Sequence, residues 1–114
     1  MHGDALDQTF AALADPTRRG VVDLLRAGPR RAGELAEALS MSAPAMSRHL
    51  RVLRETGLVE ETADTLDARA RVYTLRRERF TEVREWLDEV EAFWADQLDA
   101  FKAHAERTRG RRRS

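Results

Sequence analysis

The hydrophobic period changes twice along this chain, and those changes constrain the fold more than any other feature. Up to Gly57, apolar residues recur at steps of three and four. Across Leu58-Val59-Glu60-Glu61-Thr62 and Arg71-Val72-Tyr73-Thr74-Leu75 they alternate, and from about Arg79 the longer step returns. Steps of three and four put side chains on one face of a helix, whereas alternation puts them on one face of a strand. The chain is therefore expected to be mainly α with a small β-hairpin, ADTLDARA being the hairpin loop, followed by one long helix.

Punctuation divides the first stretch. Residues 5–14 space Leu6, Phe10, Leu13 and Ala14 as one apolar face. Asp15 and Pro16 then read as a cap and a first helical position, because Asp can accept from an orphan amide and Pro lacks the N–H that the position does not need. A second helix runs to about Ala27 with Val21, Val22, Leu24 and Leu25 inward, stopped by Gly28-Pro29. AGELAEAL, residues 32–39, forms a third, with Arg31 where a Ser or Thr cap would be expected. After Ser40-Met41-Ser42, Ser42 can cap a fourth helix from Ala43 to about Thr56, ended by Gly57. The final helix carries Phe80, Val83, Leu87, Val90, Trp94, Leu98, Phe101 and Ala105 at helical steps, with Trp86 and Phe93 widening the stripe.

At 114 residues there is room for one domain. We assign residues 1–106 to a single folded domain and expect 107–114, RTRGRRRS, to be a disordered basic tail. The formal net charge of zero conceals 2 basic and 8 acidic groups in residues 80–106 against 5 and 0 in 107–114. The absence of cysteine excludes disulfides, thiolate metal sites and cysteine nucleophiles. No apolar run suits a membrane span or secretory signal, so a cytoplasmic location without membrane partners is expected.

Three helices, a turn, a helix and a hairpin make the layout of a winged helix-turn-helix, with residues 32–39 and 43–56 as its DNA-binding pair. With Met46, Leu50 and Leu53 inward, a helical wheel puts Pro44, Arg48, Arg51 and Glu55 opposite and Ser47 on a flank. Two arginines thus face outward near the positive end of the helix, where phosphate is also favoured.

The segments ALADPTRRGVVDLL, GELAEALSMSAPAMSRHLRVLRETGLVEE and RVYTL, in this order and spacing, resemble the ArsR-type winged-helix transcriptional repressors over essentially residues 5–106. The resemblance implies a homodimeric regulator of double-stranded DNA, joined through its first and last helices. It also implies a recognition helix at 43–56 and a wing at 60–74. The dimer interface would take Leu6, Phe10, Leu13, Val90, Trp94, Leu98 and Phe101, and the last helix looks like that of members without the founding metal sites.

Departures from the family pattern reshape the expected DNA contacts. Ala43 and Ala45 stand where a Gln and a Thr often reach base edges, which leaves only apolar contacts there. Base readout then falls on Ser47, Arg48 and Arg51, with Ser42 a cap or a phosphate contact. Asp64 and Asp67 at the wing tip would repel phosphates, while Arg69 and Arg71 could bind them. His49 lies beside the Leu50 face and is read as a packing and hydrogen-bonding residue. One family metal site needs cysteines. The other, anchored on His104, would fall on Glu91, Phe93, His104 and Arg107, and neither Phe nor Arg can ligate. No cofactor is expected. The acidic residues of the last helix read as its solvated face and the aromatic ones as dimer core, part of which could line a pocket for an apolar effector. An effector, small molecule or protein, stays open. The rival function is a protein-interaction module that kept the fold without sequence-specific DNA binding; no nucleophile, metal set or phosphate-binding loop supports an enzyme.

Overall fold

The computed structural model describes residues 3–113, with side chains to residue 110. Five helices and one hairpin follow in the order α1 (Gly3–Leu13), α2 (Pro16–Leu25), α3 (Ala32–Ala38), α4 (Ala43–Glu55), β1 (Val59–Ala63), β2 (Arg71–Leu75) and α5 (Arg77–Arg113). This is the expected mainly helical winged helix-turn-helix, with the long last helix. Two compact units divide after Val83: residues up to 83, and the remainder of α5.

The core of the first unit is mainly apolar. Val21, Leu35, Met46, Leu50, Leu53, Leu58 and Val59 are almost completely removed from water, with Leu25 and Ala36 beside them. The inward residues expected for α2, α3 and α4 occupy this core or pack on its edge. In α1 the face is turned. Leu6, Thr9 and Ala12 are buried and Leu13 is half-buried, whereas Phe10 is 40% exposed and Ala14 is exposed. Small residues at 9 and 12 suit close packing, and the Thr9 hydroxyl satisfies itself by donating to the Ala5 carbonyl at 2.9 Å.

Helix ends explain the turns. The Asp15 carboxylate accepts from the Arg18 N–H at 3.0 Å, with Pro16 opening α2. Arg31 offers α3 no acceptor, but Glu34 accepts the Arg31 N–H at 2.9 Å, so half of a capping box forms. The ends of α3 and α4 share one device. Met41 N–H donates to Ala36 O and Ser40 N–H to Glu37 O; correspondingly, Leu58 donates to Leu53 O and Gly57 to Arg54 O. Each closure needs a residue in the left-handed region. Gly57 fills it at φ 77°, and Ser40 fills it at φ 52°. Gly20, inside α2, has a different reason: a Cβ there would lie 3.0 Å from Leu39 Cδ2.

β1 and β2 pair antiparallel, Glu61 opposite Tyr73 and Ala63 opposite Arg71. A third partner escaped the sequence reading. Arg30 forms a single bridge to Tyr73, its N–H donating at 3.2 Å and its carbonyl accepting at 2.8 Å, which ties the entry of α3 to the hairpin.

In the second unit the helix does not stop near residue 106. It continues through Arg113, so the segment expected to be disordered is helical as far as it is described; Ser114 lies outside the described residues. Extending a helix costs little once it exists, Arg is a good helix former, and cations suit the negative C-terminal end.

The two matching helix closures generate a prediction. Gly57→Ala should lose about 1 to 2 kcal/mol of stability, because a Cβ is forced into the left-handed region. Ser40→Gly should be neutral or stabilising. Urea unfolding followed by circular dichroism measures both, and a silent Gly57→Ala would reject this account of the closures.

Candidate nucleic-acid interface

Residues 39–42 join α3 to α4, and Ser42 begins α4 by accepting the Ala45 N–H on its Oγ at 3.3 Å. Ser42 is thus a cap. With Met46, Leu50 and Leu53 in the core, the opposite face follows: Ser42, Ala43, Pro44, Ser47, Arg48, Arg51, Arg54 and Glu55 are exposed, while Ala45 is half-buried. Of the two alanines expected at the surface, only Ala43 fully reaches it.

His49 lies on the half-buried flank. Arg18 Nη1 is 3.3 Å from its Nδ1, and Asp15 Oδ2 is 3.9 Å away. A guanidinium only donates, so Nδ1 is the acceptor in this contact. Arg18 also donates from Nε to Ala12 O at 2.7 Å, and Arg19 donates to Leu13 O at 2.7 Å. The two arginines of PTRRG close the C-terminal end of α1, which has no basic residue of its own in its last turn. The Arg18 backbone N–H, which donates to it, holds the Asp15 carboxyl below its ordinary value.

Sorting the surface arginines by what already neutralises them separates three groups. Among the described residues, Arg48, Arg51 and Arg69 form no ion pair. Arg54 lies 2.7 Å from Glu61 Oε2 and Arg71 lies 3.9 Å from Glu61 Oε1. Arg31 lies 2.8 Å from Asp64 Oδ2. Arg71 therefore comes to any partner partly compensated, unlike Arg69.

The wing departs from expectation at its acidic residues. Asp64 is only 17% exposed in its side chain, held by Arg31 and by the Leu66 N–H at 3.1 Å. Those bonds, Arg31 foremost, keep its carboxyl below the usual range. Asp67 accepts the Arg69 N–H at 3.0 Å while its carbonyl accepts from Ala70 N–H. Both carboxylates build the loop, and Asp64 is too well compensated to repel a phosphate as a free tip charge would. Leu66, 94% exposed, occupies the loop instead.

Sequence reasoning passed over Arg54, Glu61 and the Arg31–Asp64 pair. Alternation along β1 and β2 places Glu61 and Arg71 on one face once the register is known, but an eight-residue loop leaves the register open. The pair separated by 33 positions left no local signal.

The expected interface residues on α5 have a different setting. Phe93 and Trp94 are each 60% exposed, with rings edge to face at 6.5 Å; Leu98 and Phe101 are also exposed and Val90 is half-buried. Among the described residues no group of three or more His, Asp or Glu side chains could hold a metal ion. No described helix is long and apolar enough to cross a membrane.

Residues 15–61, which run from the α2 cap into β1, match the bacterial regulatory protein, arsR family. Over 95 residues the chain is 40% identical to the HTH-type transcriptional regulator Rv2034 of Mycobacterium tuberculosis, covering 83% of each protein. The chain belongs to the ArsR family. A shorter similarity, 38% over 56 residues, spans 49% of this chain and 62% of the transcriptional repressor SdpR of Bacillus subtilis. An ArsR-like transcriptional regulator from Rhodococcus sp. RHA1 matches in structure with a TM-score of 0.75 at 31% identity, over 90% of this chain and 91% of that one. As an ArsR-family protein, this is a DNA-binding transcriptional regulator and not an enzyme.

The Asp15 cap carries a pH-dependent prediction for this ArsR-family fold. Asp15→Ala should cost about 0.5 to 2 kcal/mol at neutral pH. A carboxyl lowered by folding stabilises above its unfolded value near 3.8 and loses that contribution as the pH falls through the folded value. The wild-type and variant unfolding curves should therefore converge in acid. A constant gap down to pH 2 would mean that the ionised carboxylate is not the stabilising form.

Proposed function

We propose that the protein is a homodimeric, metal-independent repressor that reads an inverted-repeat operator with α4. The observation that carries this reading is the outward face of α4, where Arg48 and Arg51 are exposed and form no ion pair among the described residues, beside Ser47 and Ala43. Arg can bind guanine bidentately, Ser47 can reach a base edge or phosphate, and Ala43 can contact a thymine methyl. Ser42 fixes the helix start, and Arg69 with the partly compensated Arg71 reaches flanking phosphates from the wing. The arginines beyond residue 106 add sequence-independent attraction.

Homodimerisation is supported by the apolar surface of α5. Trp94, Leu98 and Phe101 lie on an exposed stripe that a second copy would cover, with Val90 at its edge. Since Leu6 is buried and Leu13 half-buried within the chain, Phe10 is the α1 residue with most area to offer. Metal independence is supported by the missing cysteines and by Phe93 and Arg107, which stand where ligands would be needed around His104 and Glu91. A two-fold dimer sets half-site centres about 10 bp apart, or a multiple of that.

Selection of bound duplexes from genomic DNA, followed by titration, tests the reading. Arg48→Ala and Arg51→Ala should each weaken binding to the selected duplex, by about 1 to 3 kcal/mol where the side chain reads a guanine. Zinc or nickel at low micromolar concentration should leave affinity unchanged. Selection without a shared inverted repeat, or two silent arginine variants, would favour the protein-interaction module instead.

Assembly has its own test. The wild type should sediment as a dimer at micromolar concentration, and Trp94→Asp should yield monomers or unfolded protein, because a charge would enter the interface. Full operator affinity in a monomeric Trp94→Asp variant would reject the two-fold arrangement.

A further inference from the structure

Ser47, Arg51 and Arg54 stand at steps of four and three, one continuous stripe along α4. Ser47 and Arg51 belong to the outward face already described. Arg54 continues the stripe to the cleft between the C-terminal half of α4 and the inner face of the hairpin. This cleft, about 450 Å3, is lined by Arg54, Val59, Glu60, Glu61, Arg71 and Arg76. Glu61 joins two of its arginines: one carboxylate oxygen lies 2.7 Å from Arg54 and accepts from the Tyr73 hydroxyl at 3.4 Å, and the other lies 3.9 Å from Arg71. A single carboxylate thus compensates two guanidinium groups whose side chains remain 43% and 62% exposed.

We propose that this cleft is a seat for one DNA backbone phosphate, in which Arg54 and Arg71 take the phosphodiester oxygens and Glu61 is the resident counter-charge that the phosphate displaces. The proposal rests on the DNA-binding reading and adds to it a site and a residue that limits affinity. A phosphodiester has the same charge as the carboxylate and offers two oxygens to a planar guanidinium fork. Exposed ion pairs of this kind amount to only about two- to fivefold in an equilibrium constant, so a phosphate held by further contacts on either side can replace one. The seat also sits where strand tracking needs it, at the end of the Ser47–Arg51–Arg54 stripe and at the base of the wing. Glu61 then acts as a mask that lowers attraction to all DNA and leaves base reading to Arg48 and Arg51.

The test is a salt series of equilibrium titrations on the full chain, with a duplex recovered by genomic selection and an unrelated duplex of equal length. Glu61→Gln keeps the shape and an acceptor for Tyr73; it should tighten both complexes by about two- to fivefold and preserve the ratio between them. Arg54→Gln should weaken both and lower the salt slope by about 1. In the Arg54→Gln background the gain from Glu61→Gln should shrink, since the mask has less to cover. Weaker binding by Glu61→Gln with unchanged thermal unfolding would show that Glu61 positions the arginines rather than masking them, and would overturn the proposal. An unchanged salt slope in Arg54→Gln would also overturn it while leaving the DNA-binding reading intact. Loss of that reading would appear instead as silent Arg48→Ala and Arg51→Ala variants. Saturable binding of inorganic phosphate alone, abolished in Arg54→Gln while DNA affinity and salt slope stay unchanged in that variant, would assign the cleft to a free phosphorylated ligand and reject the DNA backbone as its occupant.

Discussion

The burial of Met46, Leu50 and Leu53 under α2, α3 and the hairpin is the constraint on which the rest of the first unit depends. These three side chains are at most 1% exposed and sit one helical step apart on α4. Fixing them fixes the rotation of the helix, so Arg48 and Arg51 face water for the same reason that Leu50 and Leu53 do not. The two left-handed closures bracket this arrangement. Ser40 turns the chain out of α3 so that Ser42 can cap α4, and Gly57 turns it out of α4 so that Leu58 and Val59 enter the core. An outward arginine face made this way needs no dedicated scaffold, since the inner half of the same helix is part of the hydrophobic core.

Charge is then distributed by acidic residues rather than by arginine number. Nineteen arginines say little about function when arginine is abundant along the whole chain. What differs is that Glu61 and Asp64 compensate Arg54, Arg71 and Arg31, whereas nothing among the described residues compensates Arg48, Arg51 and Arg69. Arg18 and Arg19 are absorbed into structure, closing α1 and meeting His49. The same residue type thus serves three purposes on one small domain, and the carboxylates and free carbonyls around each arginine decide which.

Most of this was legible in the sequence where the signal was local. The element order, the Asp15 and Ser42 caps, the Gly57 stop and the inward leucines of α4 all followed from spacing and turn chemistry. The failures share a cause. Thr9 and Ala12 are small, so spacing of the larger apolar residues of α1 gives no sign that these two are buried within the chain, where close packing prefers small side chains. Ser40 occupies a left-handed position that glycine would have advertised. The Arg30–Tyr73 bridge, the Arg31–Asp64 pair and the Glu61 cluster join residues distant in sequence, and only the register and the folded core bring them together. Asp64 consequently looked like an obstacle to DNA when it is a compensated part of the loop.

The opposed charges at the end of the chain fall along one helix. Acidic residues predominate from Glu78 through Asp99 and basic ones from Arg107, so the basic residues gather at the negative C-terminal end, where a helix dipole favours them. Charge therefore helps the helix continue to Arg113, but it cannot hold an isolated helix of this length in water by itself, because helical stability in proteins comes mainly from packing an apolar face. The exposed Phe93, Trp94, Leu98 and Phe101 form such a face. Covering it with a second copy, as proposed above, would stabilise the helix, and folding of the second unit would then be linked to dimerisation.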